Sequence, residues 1–568
     1  MAYFHPHNLV AAVLILIHAV PVLPAATVPL ALGVVRQSNG VYLVENHSSA
    51  GIVWHLAGQR GATVVHLDAH DDCRFVSQEK LDRLTTLWKQ GATDEIFRLS
   101  DLGNVSSFKV RPEDTLYDLG NFIYPCISDG TVARLIWVLP DFSLDASARA
   151  RLQSHLATAL HLETPRFTNQ PDGSFSFPLL EATMVVTTLD AMQPLPAGAL
   201  LDIDVDFFAF DRALTDIHLK GDLQWDPELV CTRLATLVPS PAITTISASV
   251  YGGYLPLLFR FIADACFDEF ASDSYPPYAR RHLDAILTMR RTAAPVALPP
   301  PPEDPTYCPA HRHLEGLLNL MQHEPEKAFA LMEAAAREKP IYAKALLDAA
   351  EALRHMGQPE TASASIDRFE ALQGGATTES RAERVHVLRA LGRLNEAETM
   401  AKVLVAWNPD PHLLLLHGGI LVELQRYDEA TVIYKHILVQ HPQDYLAAYN
   451  LGYLEELQGH AERAMALYRQ AIALRPAFAA AHENLGYLLA RESAFEEARR
   501  HLESAIALAP EKTTAWVGLG DVLSVLDQYA QATASYEEVL RLQPEGPEAT
   551  HARQSLRRLA ALTKPAAP

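Results

Sequence analysis

Three short stretches carry more polar chemistry than the apolar segments around them need. VVHLDAHDDC, residues 64–73, places Asp68, His70 and Asp72 at alternate positions, with Asp71 between the last two. LLDIDVDFF, residues 200–208, repeats that spacing with Asp202, Asp204 and Asp206. VENHSS, residues 44–49, runs from an apolar segment into His47. Side chains of an extended chain alternate faces, so the three aspartates at 202–206 are expected on one face of a strand. Asp68 and His70 share a face by the same rule, and Asp72 joins them if the chain stays extended or turns back. Burying bare carboxylates together costs on the order of several kcal/mol each. A pair of divalent cations removes that objection, because carboxylates can bridge two ions and imidazoles complete their shells. An oxygen-rich site with two histidines suits Mn²⁺, Fe²⁺ or Zn²⁺. Each stretch alone has a plainer reading: a strand-end histidine bonded to backbone, an acidic turn capping a helix, an edge strand with one polar face. Their joint occurrence at the ends of apolar strands points to a functional metal site.

Those residues need a scaffold. Apolar runs at 41–45, 63–68, 135–139, 183–188, 200–206 and 243–249 are predicted strands, and 77–90, 145–160, 226–237 and 255–268 are among the predicted helices. Alternating strands and helices predict an α/β three-layer fold, a mostly parallel sheet covered on both faces. Ligands of such sheets sit beyond the carboxyl ends of the strands, where the polar clusters fall. A proline-dense stretch, PVALPPPPEDPTYCP at 295–309, reads as an extended linker.

Beyond the linker the pattern repeats every 34 residues. Gly418, Gly452, Gly486 and Gly520 keep that spacing, as do Ala430, Ala464, Ala498 and Ala532, and Pro442, Pro476, Pro510 and Pro544. Large residues recur at Tyr434, Tyr468, Leu502 and Tyr536. The pattern resembles the tetratricopeptide repeat, with small residues where two helices cross and proline ending the second. Ala328, Ala362 and Ala397 keep a similar phase, so about seven helix pairs are expected from 311 to about 545. The domain reading is an N-terminal extension or signal-like segment at 1–39, an α/β domain at 40–292, a linker at 293–310, and an all-α repeat solenoid at 311–563 that ends in a capping helix.

The chain has 568 residues, enough for two or more domains, and a formal net charge of −21. That balance argues against nucleic acid or an anionic membrane as the main partner. Five cysteines, none in a C-x-x-C pair, read as reduced thiols, with Cys73 as a small buried residue. Residues 9–20, LVAAVLILIHAV, are too short for a stable membrane span. Pro21, Pro24, Ala25 and Ala26 follow much as at a cleavage site, but the first basic side chain is Arg36. Export after cleavage near residue 26 and a cytoplasmic extension both stay open, and the unpaired cysteines favour the cytoplasm.

The D-A-H-x-D run with the later D-V-D resembles the arginase and agmatinase ureohydrolases of the arginase/deacetylase superfamily. Glu45-Asn46-His47, DLGNFIYPCI at 118–127, and D-I-D-V-D-F-F are similar to an arginase-like group that includes the peptide arginases of ribosomal-peptide biosynthesis. The resemblance covers roughly residues 40–270. It implies that His47 binds a first metal with Asp68, Asp72 and Asp204, and that His70 binds a second with Asp68, Asp204 and Asp206. Asp68 and Asp204 would bridge, Asp202 would stand behind the ligands, and an alternative register would use Asp202 and Asp204 as the pair. Two divalent ions, Mn²⁺ first among them, are the implied cofactors, with Asp72 and Asp206 as catalytic carboxylates.

The implied reaction is hydrolysis of a C–N bond other than a peptide bond, with conversion of peptidyl arginine to ornithine and urea as its specific form. Two departures weaken free arginine as the substrate. Residues 73–90 hold no histidine where arginases keep a proton shuttle. The late segment ITTISASVYGGYLP has Ser247, Ser249, Tyr251 and Tyr254 where arginases hold the guanidinium with a carboxylate. Asn121 and Tyr124 are further candidates for the pocket wall. The repeats imply a peptide or protein partner. The alternative is a non-catalytic interaction scaffold with a structural metal site. A deacetylase reading expects one zinc and fewer carboxylates.

Overall fold

The computed structural model describes residues 33–70, 72–100, 109–118, 120–140, 144–162, 166–208, 223–248, 256–292 and 294–562. Residues 1–32 of the signal-like segment, Asp71, Ser249, Tyr251 and Tyr254 lie outside these residues, whereas Val34–Ser38, expected in that segment, form a strand of the sheet. The chain divides into two compact units, one running to Glu383 and the other starting at Arg384.

The first unit is built on a nine-stranded sheet. Its strands are β1 (Val34–Ser38), β2 (Val41–Val44), β3 (Ala62–Leu67), β4 (Val132–Leu139), β5 (Thr168–Asn169), β6 (Phe175–Leu179), β7 (Ala182–Thr188), β8 (Leu200–Asp204) and β9 (Ile243–Ser247). Their order is β1-β2-β9-β8-β3-β4-β7-β6-β5. The six central strands are parallel, and β1, β6 and β5 add antiparallel pairs at the two edges. All six predicted strands are present. The sheet is mixed, because short turns let β1 and the β5–β6 pair fold back on their neighbours, which needs no crossover helix. The central strands are buried on both sides, as β8 and β9 show at every position, and these two bury Asp202, Asp204, Thr244, Thr245 and Ser247 among their apolar residues.

Helices α1 (Ser48–Leu56), α2 (Gln78–Lys89), α3 (Thr93–Ser100), α4 (Ile123–Ser128), α5 (Ala146–Ala159), α6 (Pro227–Leu237), α7 (Phe261–Ser272) and α8 (Pro277–Thr292) accompany the sheet. Asp145 caps α5 by accepting from the Ala148 N–H, and Asp226 caps α6 with Pro227 in its first turn. The helix expected at 255–268 begins six residues later, at Phe261, behind a short 3₁₀ turn at Leu257–Phe259. Cys231 of α6 and Cys266 of α7 are buried free thiols with their sulfurs 3.4 Å apart.

The proline-dense stretch ends in a 3₁₀ turn at Pro305–Tyr307, and the first repeat helix starts at Cys308, three residues before the expected boundary. Tyr307 is buried and donates to Asp268 of α7, so the end of the stretch is fastened to the α/β core. Seven helical hairpins follow. They are α9–α10 (Cys308–Met321, Pro325–Glu338), α11–α12 (Lys344–His355, Pro359–Gln373), α13–α14 (Thr378–Ala390, Leu394–Trp407), α15–α16 (Pro411–Glu423, Tyr427–Gln440), α17–α18 (Tyr445–Leu457, Ala461–Leu474), α19–α20 (Ala479–Arg491, Phe495–Leu508) and α21–α22 (Thr513–Val525, Tyr529–Leu542). Helix α23 (Pro547–Leu562) closes the series. The first two hairpins belong to the α/β unit, so its core extends past the proline-dense stretch.

The 34-residue grammar has a direct packing cause. A Cβ on Gly418 would stand 2.6 Å from the Tyr434 ring, one on Gly452 3.0 Å from Tyr468, one on Gly486 2.8 Å from Leu502, and one on Gly520 2.6 Å from Tyr536. Each glycine lets a large side chain of the second helix lie against the first. Ala430, Ala464, Ala498 and Ala532 are wholly buried at the same crossings, and so are Ala328, Ala362 and Ala397 in the earlier hairpins. Pro442, Pro476, Pro510 and Pro544 each fall two residues past a second helix. No helix among the described residues is long and apolar enough to cross a membrane.

Candidate metal centre

The six side chains expected to bind cations come together at the carboxyl ends of β2, β3 and β8. His47 Nδ1 lies 3.2 Å from Asp68 Oδ2, 2.9 Å from Asp72 Oδ2 and 2.8 Å from Asp204 Oδ2. His70 Nδ1 lies 3.3 Å from Asp68 Oδ1 and 3.0 Å from Asp206 Oδ2. Four close donor groups result: His47–Asp68–Asp204 and Asp68–His70–Asp206, and, through His66, His47–His66–Asp202 and His66–Asp68–Asp72. Asp68 belongs to both of the first two, with one oxygen toward each of their histidines, as a carboxylate that bridges two ions would be.

The backbone that achieves this differs from a simple strand. β3 ends at Leu67 and β8 at Asp204. Asp206 is therefore not the third residue of a strand face. A 3₁₀ turn, Val205–Phe208, swings it toward His70, and its own N–H donates to Asp204 Oδ1 at 3.2 Å. Asp72 has φ of +43°, so the chain after β3 turns back and does not stay extended. That conformation is costly for a residue with a Cβ, which marks the turn as held by its surroundings. Asp72 O accepts from the Ile123 N–H at 3.0 Å, and the His70 N–H donates to Asp68 Oδ1 at 2.7 Å. His47 sits at the N-cap position of α1, not at a strand end.

A second set of residues orients the first. Asp202 Oδ2 lies 2.8 Å from His47 Nε2 and 2.9 Å from His66 Nδ1, and Thr245 donates to its other oxygen. Holding Nε2–H on Asp202 leaves the Nδ1 lone pair of His47 facing the carboxylates, the arrangement by which a carboxylate fixes a ligating imidazole. Asp202 thus stands behind the ligands. Trp137 donates to the Asp68 carbonyl at 3.0 Å, and the Phe122 ring packs 4.7 Å from that of His47. The 118–127 stretch therefore contributes Phe122 and the Ile123 N–H. Asn121 Oδ1 instead accepts from the Asp118 N–H, and the Tyr124 ring meets Phe75. Sequence reasoning missed His66. It stands two residues before Asp68, so the same alternation that linked Asp68 to His70 marked it.

The electrostatics favour cations. Burial and the charges of Asp68 and Asp204 push Asp72 well above the usual carboxylate range. Burial and the charges of Asp204 and Asp68 do the same to Asp206. Burial works against charge on His70, but the Asp206 and Asp68 carboxylates beside its Nδ1 outweigh it and raise its pKa to about 12. Asp202 is held at about 2, since the positive potential of His47 and His66 overcomes its burial. His47 Nδ1 has three carboxylate oxygens near it and no aligned hydrogen bond, and Asp68 Oδ2, Asp206 Oδ2 and His66 Nε2 are also buried without one. One ring nitrogen can satisfy at most one of three oxygens. Three oxygens crowded about one ring nitrogen are arranged as for a shared central ion, so the donor set suits divalent cations with oxygen-rich shells.

Tetratricopeptide-repeat families match residues 415–477, 449–513 and 489–556. Residues 415–556 are tetratricopeptide repeats. Solved structures similar to the chain include a tetratricopeptide repeat protein from Parabacteroides merdae (16% identity, 44% of this chain and 99% of that one, TM-score 0.35). PilF of Pseudomonas aeruginosa (15%, 39% and 97%, 0.33) and a thermophilic TPR protein of Thermus thermophilus (20%, 32% and 98%, 0.28) are others. No curated protein matches the chain.

Proposed function

We propose that the α/β unit is a dinuclear-cation hydrolase of C–N bonds other than peptide bonds, and that its arginase-like sequence signature reflects ureohydrolase chemistry. The observation that carries this reading is the convergence of His47, Asp68, His70, Asp72, Asp204 and Asp206, with Asp68 shared between two histidine-centred groups. Cations bound there, Mn²⁺ first among them, would supply a water acidic enough to act as nucleophile near neutral pH and positive charge for a tetrahedral intermediate. The protein side of the chemistry is positional. Asp202 and His66 fix the His47 ring, Trp137 fixes the Asp68 backbone, and Asp72 and Asp206 bring carboxylates to 2.9 Å from His47 Nδ1 and 3.0 Å from His70 Nδ1. His70 is the most exposed of the six, at 31%, so substrate approaches from its side.

The specific form is peptidyl arginine plus water giving ornithine and urea, with the tetratricopeptide repeats recruiting the peptide. Supporting a peptide are the repeats, whose general use is to bind extended segments, and the absence of a histidine in residues 73–90. Purified full-length protein loaded with Mn²⁺ should release urea from arginine-containing peptides, and an Asp206→Asn variant should trap the peptide for mass spectrometry. Release from no peptide and no small guanidine would remove the ureohydrolase form.

The repeats themselves favour one alternative, a scaffold whose cation site is structural. In that case the wild-type chain hydrolyses nothing, and Asp68→Ala lowers its melting temperature without weakening capture of the repeat partner.

A further inference from the structure

Glu45 opens the E-N-H stretch but binds no cation in the reading above. It is held by Arg260, which is fully buried at the start of α7. Arg260 Nε lies 3.0 and 3.2 Å from the two Glu45 oxygens, Nη2 also donates to Oε1, and Nη1 donates to Asp264 Oδ2 at 2.7 Å. Asp264 takes two more cations. Lys339, at the end of α10, reaches Oδ2 at 2.6 Å, and Arg36 of β1 approaches Oδ1 at 3.4 Å. Arg36 also pairs with Asp268 at 2.6 Å, and Asp268 accepts from Tyr307 at 2.6 Å. Three cations and three carboxylates thus form one balanced network that runs from a repeat hairpin to the residue two before His47.

A buried network of this size could serve stability alone. Its placement argues for more. His47 reaches its carboxylates from the helix-entry turn of α1, and a turn is softer than a strand. Asn46 Oδ1 holds the downstream side by accepting from the Ser48 N–H and Oγ. On the upstream side, the Glu45 carboxylate is gripped by both arms of a planar guanidinium, which fixes direction as well as distance. His70 stands instead against Asp68 and Asp206, neither of them a member of this network.

We infer that Arg260 is a positioning residue for the cation centre, acting through Glu45 to aim His47, and that Lys339 carries the same influence from the first repeat hairpin. This rests on the proposed dinuclear site. Loss of a ligand's supporting partner weakens metal binding about 10- to 100-fold, and here only the cation on His47 should feel it.

Mn²⁺ titration of the full chain by calorimetry tests this, with His47→Ala and His70→Ala variants assigning the two binding steps. Arg260→Lys keeps the charge and loses the fork. It should weaken the His47 step about tenfold and leave the His70 step unchanged, at a temperature where the variant stays folded. Lys339→Met, at a partly exposed position, should weaken the same step by less, and Lys339→Arg should restore it. The Lys339 pair decides the matter even if Arg260→Lys does not fold. If both steps weaken together, or neither does, the positioning role is overturned while the dinuclear site stands. If the wild type takes up fewer than two Mn²⁺, both fall.

Discussion

At the scale of single residues, Asp68 carries the most. It is the carboxylate that both histidines share, so Asp68→Asn should lose both cations, where His70→Ala should lose one. Elemental analysis of the purified variants reads this directly. Cation binding to the native state alone stabilises by about 2.7 kcal/mol at a hundredfold excess over Kd. A chelator should therefore lower the melting temperature of the wild type and leave that of Asp68→Asn unmoved. Equal sensitivity of the two proteins would remove Asp68 from the centre.

Much of this site was legible in the sequence, and the reason is periodicity. Alternate spacing in 68–72 and 202–206 announced donors sharing a face, and all six expected ligands meet. What spacing could not reveal was how the last donor of each run is placed. Asp72 depends on a left-handed backbone and Asp206 on a 3₁₀ turn, and both conformations are imposed by packing around them. The pair of Glu45 with Arg260 was invisible for a different reason, since 215 residues separate the partners and neither run hints at the other.

At the scale of elements, two adjacent glycines of α15 make opposite predictions. Gly418 faces the Tyr434 ring at 2.6 Å, whereas a Cβ on Gly419 would meet nothing within 4 Å. Gly418→Ala should destabilise by about 1–3 kcal/mol through overpacking. Gly419→Ala should stabilise by about 1 kcal/mol through helix propensity. Denaturant unfolding of the two variants side by side checks both signs. The central strands were readable as short apolar-rich runs and the later hairpins by their 34-residue period. The edge strands β1, β5 and β6 were not predicted, being short or interrupted by polar residues.

At the scale of the whole molecule, the junction between the α/β core and the first hairpins contains two buried, neutral histidines. His282 is pushed down to about 3 by burial and by the potential of His311 and His313, and it shares the Tyr278 hydroxyl with His311. Burial pushes His313 down to about 4. Their folded pKa values lie below the unfolded value of about 6.5. Their contribution to stability is thus complete above pH 6.5 and is lost as the pH falls toward 4 and then 3. Each imidazole adds at most about 1.4 kcal/mol per pH unit over that window. The melting temperature of His282→Gln should fall less steeply than that of the wild type between pH 6.5 and 4, and parallel profiles would contradict the assignment.

The Gly418–Tyr434, Gly452–Tyr468 and Gly520–Tyr536 crossings each lie inside one hairpin, and Gly518 packs on Tyr487 of the hairpin before it, so each 34-residue block depends mainly on itself and its immediate neighbours. Such an array can lose or gain a block without rewriting the others. Excising residues 445–478 would bring Pro442 up to the start of α19 with the cadence intact. The length of this half is therefore an adjustable ruler, which evolution can reset for a longer or shorter partner without touching the sheet at the other end of the chain.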